Sequence, residues 1–321
     1  MKKYIIPIVT VGLLLSCSKI TNINYDPKSF SKVPGESLFS HAEKALTDLL
    51  ATPNQNINIF ELITQYWTET TYTDEVNYDL PARSIPQNVW HPLYRDVLED
   101  LNEAQSVITA DQTASPTYSA TDLKNVMGCI EITKIYAWYM LVSTWGDIPY
   151  TKAFDLSNLS PAYDDAATVY NDLLSRMDAA LASMDPSGAG MGSADLLYGG
   201  DIGKWIKFGN SLKLVMGMNL ADVDNAKAKS VVESAAPKAF ASNADNAVFY
   251  YTSTPPNTNP IWVNLVQSGR KDYVAANTLV DAMNALSDPR VPEYFGPDAN
   301  GNYSGGVYGE NSNWALSCVN P

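Results

Sequence analysis

The chain has 321 residues, a formal charge of −14 and 45% hydrophobic residues, enough for one large domain or two. The acidic balance argues against nucleic acid and against adhesion to anionic lipid, since both favour basic faces. Two histidines far apart, His41 and His91, and three cysteines leave little material for a His-based metal site, a Ser-His-Asp arrangement or a disulfide framework.

Lys2 and Lys3 precede an apolar run from Tyr4 to Leu15, the layout of a secretory signal and too short to span a bilayer comfortably. The run ends Leu13-Leu14-Leu15-Ser16-Cys17, which resembles a bacterial lipobox. That resemblance implies cleavage before Cys17, diacylation of its thiol and a body hanging from lipid; an ordinary signal peptide with an incidental cysteine is the plainer alternative. The expected division is a signal peptide over 1–16, a lipidated tether over 17–35 and one helical domain over 36–321. Loss of Lys2 and Lys3 with the signal takes the formal charge from −14 to −16. Several acyl chains, at about 0.8 kcal/mol per buried CH₂, hold such a body to a membrane. No later segment reaches 18 uninterrupted apolar residues, so none reads as a span.

Beyond the tether, Leu38, Phe39, Ala42, Ala45, Leu46, Leu49 and Leu50 recur at three and four after Gly35-Glu36, which predicts a helix. Ile59 to about Thr70 reads as a second helical stretch, and Thr71 to Pro86 breaks the pattern. An amphipathic helix is expected over Gln87–Ile108, a polar turn over Asp111–Ser119 and the strongest helix over Asp122–Trp145, stopped by Gly146 and Pro149. Cys129 sits on its apolar stripe and reads as a buried free thiol. Further helices are expected over Ala166–Met184, Trp205–Leu220, Ala226–Ala241 and Val274–Leu286. Gly188–Gly192 reads as a flexible loop. Phe249–Asn277, with Pro255, Pro256 and Pro260, reads as a long irregular excursion; such loops are uncommon and often functional. The fold is therefore expected to be mainly α, in helix pairs with long loops. Trp205-x-x-Phe208-Gly209-x-x-Leu212 fits half a tetratricopeptide unit, which suggests degenerate repeats rather than a regular solenoid. The last residues, Trp314 to Pro321, supply no element that would close a domain, so the chain reads as incomplete at that end.

Trp145-Gly146-Asp147-Ile148-Pro149-Tyr150 followed by Ala153 looks like the signature of the SusD/RagB family of outer-membrane nutrient-binding lipoproteins. Six further strings agree in order: Asn24-Tyr25-Asp26-Pro27, Pro161-Ala162-Tyr163-Asp164, Tyr198-Gly199-Gly200-Asp201, Trp205-x-Lys207-Phe208-x-Asn210, Ala241 to Ala247, and Asp288-Pro289-Arg290. The chain is most similar to the branch labelled SusD-like 2. The resemblance implies a SusD-like fold of tetratricopeptide-like helix pairs cradling irregular loops, and attachment to the outer membrane, facing the cell exterior. It implies a partner, a SusC-type TonB-dependent transporter, over which the lipoprotein acts as a hinged lid, and an oligosaccharide or peptide ligand captured between them. It implies no catalysis and no cofactor.

Some motifs have plain structural readings. Gly146 serves as a helix stop and Asp147 as an acceptor for backbone donors in the turn. Trp205 with Phe208 and Leu212 lies on a core stripe, and Asn210 and Ser211 satisfy loop backbone. Asp298-x-Asn300-x-Asn302 suggests a calcium loop, but Tyr303 and Gly309 stand where an EF-hand needs Gly and Glu, so an Asn-Gly turn is the simpler reading. A structural Ca²⁺ has no other motif to support it. Aromatics outside the stripes are the ligand candidates: Trp67, Tyr72 and Tyr78, beside Arg83. Flat aromatic faces stack on sugar rings or peptide side chains while flanking polar groups fix orientation; packing of the loop onto its scaffold is the alternative. Tyr250, Tyr251 and Trp262 form a second cluster. Two other functions stay open, a secreted glycan-active hydrolase, which needs a carboxylate pair at fixed spacing, and a helical-repeat adaptor without a small ligand.

Overall fold

The computed structural model of the protein describes residues 33–80 and 83–311. Cys17, Cys318, residues 17–32 of the tether and the segment 314–321 lie outside the described residues, so the lipid anchor and the division at 16 and 35 carry forward as proposals. The described chain is mostly helical, as expected, with one two-stranded sheet. Its long helices are α1 (Gly35–Ala51), α3 (Ile85–Pro92), α4 (Asp100–Ala114), α5 (Ala120–Trp145), α6 (Ala166–Ser183), α7 (Ile202–Met218), α8 (Asn225–Ala235) and α10 (Asn277–Ala285). Short helical turns α2 (Phe60–Ile63), α9 (Pro260–Trp262) and α11 (Val291–Tyr294) lie in the loops. Strands β1 (Trp67–Glu69) and β2 (Tyr273–Ala275) pair antiparallel, with Trp67 opposite Ala275 and Glu69 opposite Tyr273.

The helix starts are fixed by short polar side chains that accept otherwise orphaned backbone N–H groups, each worth about 1 kcal/mol. Ser119 accepts from Asp122 N at the head of α5, Asp165 from Thr168 N for α6, Asp201 from Lys204 N for α7 and Asp224 from Lys227 N for α8. Gly146 ends α5 at φ 75° and donates its N–H to Val142 O at 3.0 Å. Asp147 Oδ1 then accepts from Ala166 N at 2.9 Å, and the Asp164 carboxylate accepts from Tyr150 N and Thr151 N at 3.0 and 2.8 Å. The Trp145–Tyr150 string is thus the clasp between α5 and α6.

Between α3 and α4 the helix widens into a π turn over Leu93–Glu99. Pro92 lacks the N–H that would close the preceding turn. The helix pairs are α1 with α4, α5 with α6 and α7 with α8, in keeping with the tetratricopeptide-like expectation. They enclose one core in which Phe39, Leu93, Leu101, Ile132, Leu141, Leu173 and Trp205 are fully buried. Gly209 allows α7 to press onto its neighbours, since a Cβ there would meet Leu181 Cδ2 at 2.8 Å and Ile132 Cδ1 at 3.0 Å. Cys129 is buried in the same core. Two small satellite cores sit under the loops, one around Leu62, Val76 and Tyr273 and one around Ala275, Val280, Met283, Val291 and Phe295.

The helical expectation for Ile59–Thr70 is corrected: only Phe60–Ile63 is helical, and Trp67–Glu69 is a strand. The helix expected from Val274 begins at Asn277, because Val274 and Ala275 belong to the partner strand. The excursion over Phe249–Asn277 therefore holds a strand, as well as the π turn Val263–Gln267. The helix expected to end at Ile108 runs on to Ala114, and that expected to reach Ala241 ends at Ala235 in a 3₁₀ turn over Ala236–Lys238.

Candidate functional site

The two strands form the floor of the loop region. Side chains alternate across a strand, so Trp67 and Glu69 share one side of β1 and Thr68 takes the other. Trp67 lies 5.7 Å from the Tyr273 ring. It also lines a cavity of about 570 Å³ with Tyr66, Tyr294 and Phe295, floored by Leu279 and Met283. The polar groups at this cavity are Arg290 and Glu293. Arg290 is oriented by a fork onto Asp288, Nε to Oδ1 at 2.9 Å and Nη2 to Oδ2 at 2.5 Å. The same guanidinium holds the Asp288 carboxyl down at about 2. Aromatic walls with a few oriented polar groups are the usual make-up of a small-ligand pocket.

The adjoining loop carries unusual backbone. Gln65, Tyr72 and Tyr78 all adopt left-handed φ, at 61°, 56° and 61°. Bulky side chains rarely occupy that region, and each instance costs on the order of 1–3 kcal/mol, a form of strain that concentrates at ligand clamps and active sites. Two of the three are ligand candidates from the sequence, and both are exposed, Tyr72 at 70% and Tyr78 at 53%.

The loop is held by buried charge beneath it. Glu75 is fully buried and Glu69 nearly so. Arg83 makes an ion pair with Glu75, reaches Asp74 at 3.8 Å and donates to Asn56 Oδ1 at 3.1 Å. Burial, and next the neighbouring Glu75, push the Glu69 carboxyl up to about 8, so one member of this pair holds a proton at neutral pH. The far end of the chain pins the same loop: Asn77 Nδ2 donates to Gly309 O at 2.9 Å, and Tyr308 donates its hydroxyl to Leu62 O at 2.6 Å.

The structure separates the four candidates. Trp67 lines the cavity. Tyr78 sits beyond Gln65, which donates to its hydroxyl at 3.5 Å, and lies against Tyr308 at 6.4 Å. Tyr72, at the far end of β1, does not line the cavity. Arg83 is engaged with the Asp74 and Glu75 carboxylates of its own loop and with the Asn56 amide, a supporting position. Tyr66, Tyr294 and Phe295 were not singled out from sequence; the one signal near them was the Asp288-Pro289-Arg290 string. In the second aromatic cluster, Tyr251 is tied down by its hydroxyl on Asp48 Oδ1 at 3.0 Å, and Tyr250 stands out at 82% exposure.

The suggested calcium loop is closed on itself: Asp298 Oδ1 accepts from Asn300 N and Asn302 N, Oδ2 accepts from Ser304 Oγ, and Gly301 turns at φ 80°. Among the described residues no group of three or more His, Cys, Asp or Glu is placed to hold a metal.

Residues 27–320 match the model of a family described as SusD-like 2, starch-binding associating with outer membrane. The chain belongs to the SusD/RagB family. Solved structures agree on the SusD-like fold. A chitin-binding protein superposes with a TM-score of 0.73 at 19% identity, covering 89% of this chain and 64% of that one. A SusD/RagB family protein from Bacteroides thetaiotaomicron gives 0.72 at 22% identity, covering 90% and 62%. A chitin-binding SusD homolog from Flavobacterium johnsoniae gives 0.67 at 21% identity, covering 88% and 60%. The chain thus spans about three fifths of the length of these SusD relatives. No curated protein sequence matches it.

Proposed function

We propose that this SusD-family chain is a non-catalytic glycan-binding lipoprotein of the outer membrane. In this reading it is anchored through Cys17, faces the cell exterior and hands oligosaccharide to a SusC-type TonB-dependent transporter. The observation that carries the binding step is the cavity of about 570 Å³ lined by Tyr66, Trp67, Tyr294 and Phe295 together with Arg290 and Glu293. Ring faces suit the apolar C–H faces of pyranoses, and a fixed guanidinium and a carboxyl suit their hydroxyls. The family description and the two chitin-binding relatives support a glycan over a peptide. Binding alone accounts for the groups present. The buried pair Glu69 and Glu75 does not line the cavity, so it supplies no acid and nucleophile flanking a sugar there.

The test is binding of amylopectin, of chitohexaose and of a random peptide mixture by the native protein and by W67A. A glycan should bind, and W67A should weaken it at least about tenfold, the loss of about 1.4 kcal/mol, with the helical far-ultraviolet dichroism retained. Glycan binding that survives W67A and Y294A intact would place the ligand elsewhere. Capture of peptide alone would replace the ligand class.

A further inference from the structure

Residues 246–251 lie in no helix or assigned strand, and their exposure alternates: Asn246, Val248 and Tyr250 are exposed, while Ala247, Phe249 and Tyr251 are half-buried. That is the period of a strand, yet this segment pairs with no strand among the described residues. Its inner side chains explain why it is fixed. Ala247 and Phe249 cover a cavity beside Glu43, Tyr136 and Phe208, and the Phe249 and Tyr251 rings lie 4.8 Å apart.

Its outer side chains have no such structural employment. They line a second cleft of about 510 Å³ together with Leu196–Gly199 and with Lys204 in the first turn of α7. This cleft shares no lining residue with the Trp67 cavity. Four groups converge on it without a side-chain hydrogen bond or ion pair in the described structure: the Tyr250 ring, the Asn243 and Asn246 amides and the Lys204 ammonium, which hangs 5.9 Å over the Tyr198 ring. The walls themselves are rigid. Asp195 accepts from Leu197 N, Tyr198 N, Gly200 N and Trp205 Nε1 at 2.7 to 3.1 Å. Asp245 accepts from Lys207 Nζ at 2.6 Å and from Ala241 N and Ser242 N, and Tyr198 donates to Asp245 O at 3.1 Å.

We propose that this cleft is a second glycan-binding site, separate from the Trp67 cavity, in which a pyranose stacks on Tyr250 and its hydroxyls are met by Asn243, Asn246 and Lys204. An exposed ring supplies the apolar platform, and amides both donate and accept, as a hydroxyl-rich neutral ligand requires. The ligand class rests on the glycan reading of the protein; the location does not. Two sites on one body raise affinity for a polymer that reaches both by avidity, while leaving short ligands to bind each site alone.

The experiment measures stoichiometry and affinity for chitohexaose and maltohexaose by calorimetry, and retention by amylopectin and by soluble chitosan-free glycol chitin in native gels. Native protein, W67A, Y250A and N243A/N246A are compared, with melting temperatures as the folding control. Two hexasaccharides should bind per native chain and one per Y250A or W67A chain. Y250A should weaken polymer retention by at least about tenfold, the order expected when avidity is lost, and N243A/N246A should reproduce the loss without touching the platform. A native stoichiometry of one that W67A abolishes and Y250A leaves intact overturns the second site and keeps the first. A stoichiometry of one that only Y250A abolishes keeps this site and overturns the first. Absence of binding to every glycan overturns both.

Discussion

At the scale of single residues, the loop bearing Tyr72 and Tyr78 combines two costs that a purely structural connection would shed. Its backbone holds bulky residues at positive φ, and its underside buries two carboxyls with one guanidinium. The pair has a defined pH signature. Burial, and next Glu75, raise the folded-state value of Glu69 to about 8, against an ordinary 4.5. The native state thus holds this proton more tightly than the unfolded chain. The stabilisation is complete below the ordinary value and is lost as pH rises through about 8. Glu43 behaves alike up to about 9, again through burial first and Asp195 second. Melting temperature should therefore fall from about pH 5 to about pH 9, and E69Q should flatten that fall, since an amide cannot ionise. A slope identical in E69Q and the native protein would mean that Glu69 ionises as freely folded as unfolded. None of this was visible in the sequence, which placed Glu69 in an expected helical stretch and Glu75 in the irregular segment after it and singled out neither.

At the scale of elements, what was legible depended on how local the cause was. α5 and α6 follow from an apolar stripe, a capping side chain and a stop, all within a few residues of each other, and they stand nearly where the sequence put them. β1 does not, because Trp67–Glu69 becomes a strand only by pairing with Tyr273–Ala275, about two hundred residues away. Its apolar and aromatic residues also fit a helical period over so short a run. The same long-range pairing takes Val274 and Ala275 out of the helix expected from Val274. The candidate cavity inherits that limit: Trp67 was identifiable as an aromatic outside a stripe, whereas Tyr294 and Phe295 join it through tertiary packing alone. The pairing also predicts how the site should fail. V274P removes a ladder donor opposite Thr68 and cannot sit in a paired strand without bending it. Because the helical core is a separate cluster from the two satellite cores, V274P should weaken glycan binding at least about tenfold, or 1.4 kcal/mol, while far-ultraviolet dichroism stays helical. Binding retained at native strength with the strand broken would detach the site from the sheet. By contrast, Gly209 belongs to the core: filling its close approach to Leu181 and Ile132 overpacks the helix pairs rather than the loops.

At the scale of the whole molecule, charge bears on what the proposed tether has to do. The body carries a formal charge of −14, or −16 once Lys2 and Lys3 are removed. A net charge of this sign gives no general attraction to anionic head groups, which bind basic segments. No helix among the described residues is long and apolar enough to cross a membrane. In the proposed reading, membrane residence therefore rests on the acyl chains at Cys17, each contributing about 0.8 kcal/mol per buried CH₂. In the same proposed reading, lid and barrel must remain together while the lid swings, and a lipid anchor at Cys17 would keep them so. C17A should shift the protein from the outer-membrane fraction to the soluble fraction and end its co-purification with a large β-barrel, while purified C17A binds glycan as tightly as the native chain. Retention of C17A in the membrane at low and at high salt alike would transfer the anchoring role from lipid to a protein interface.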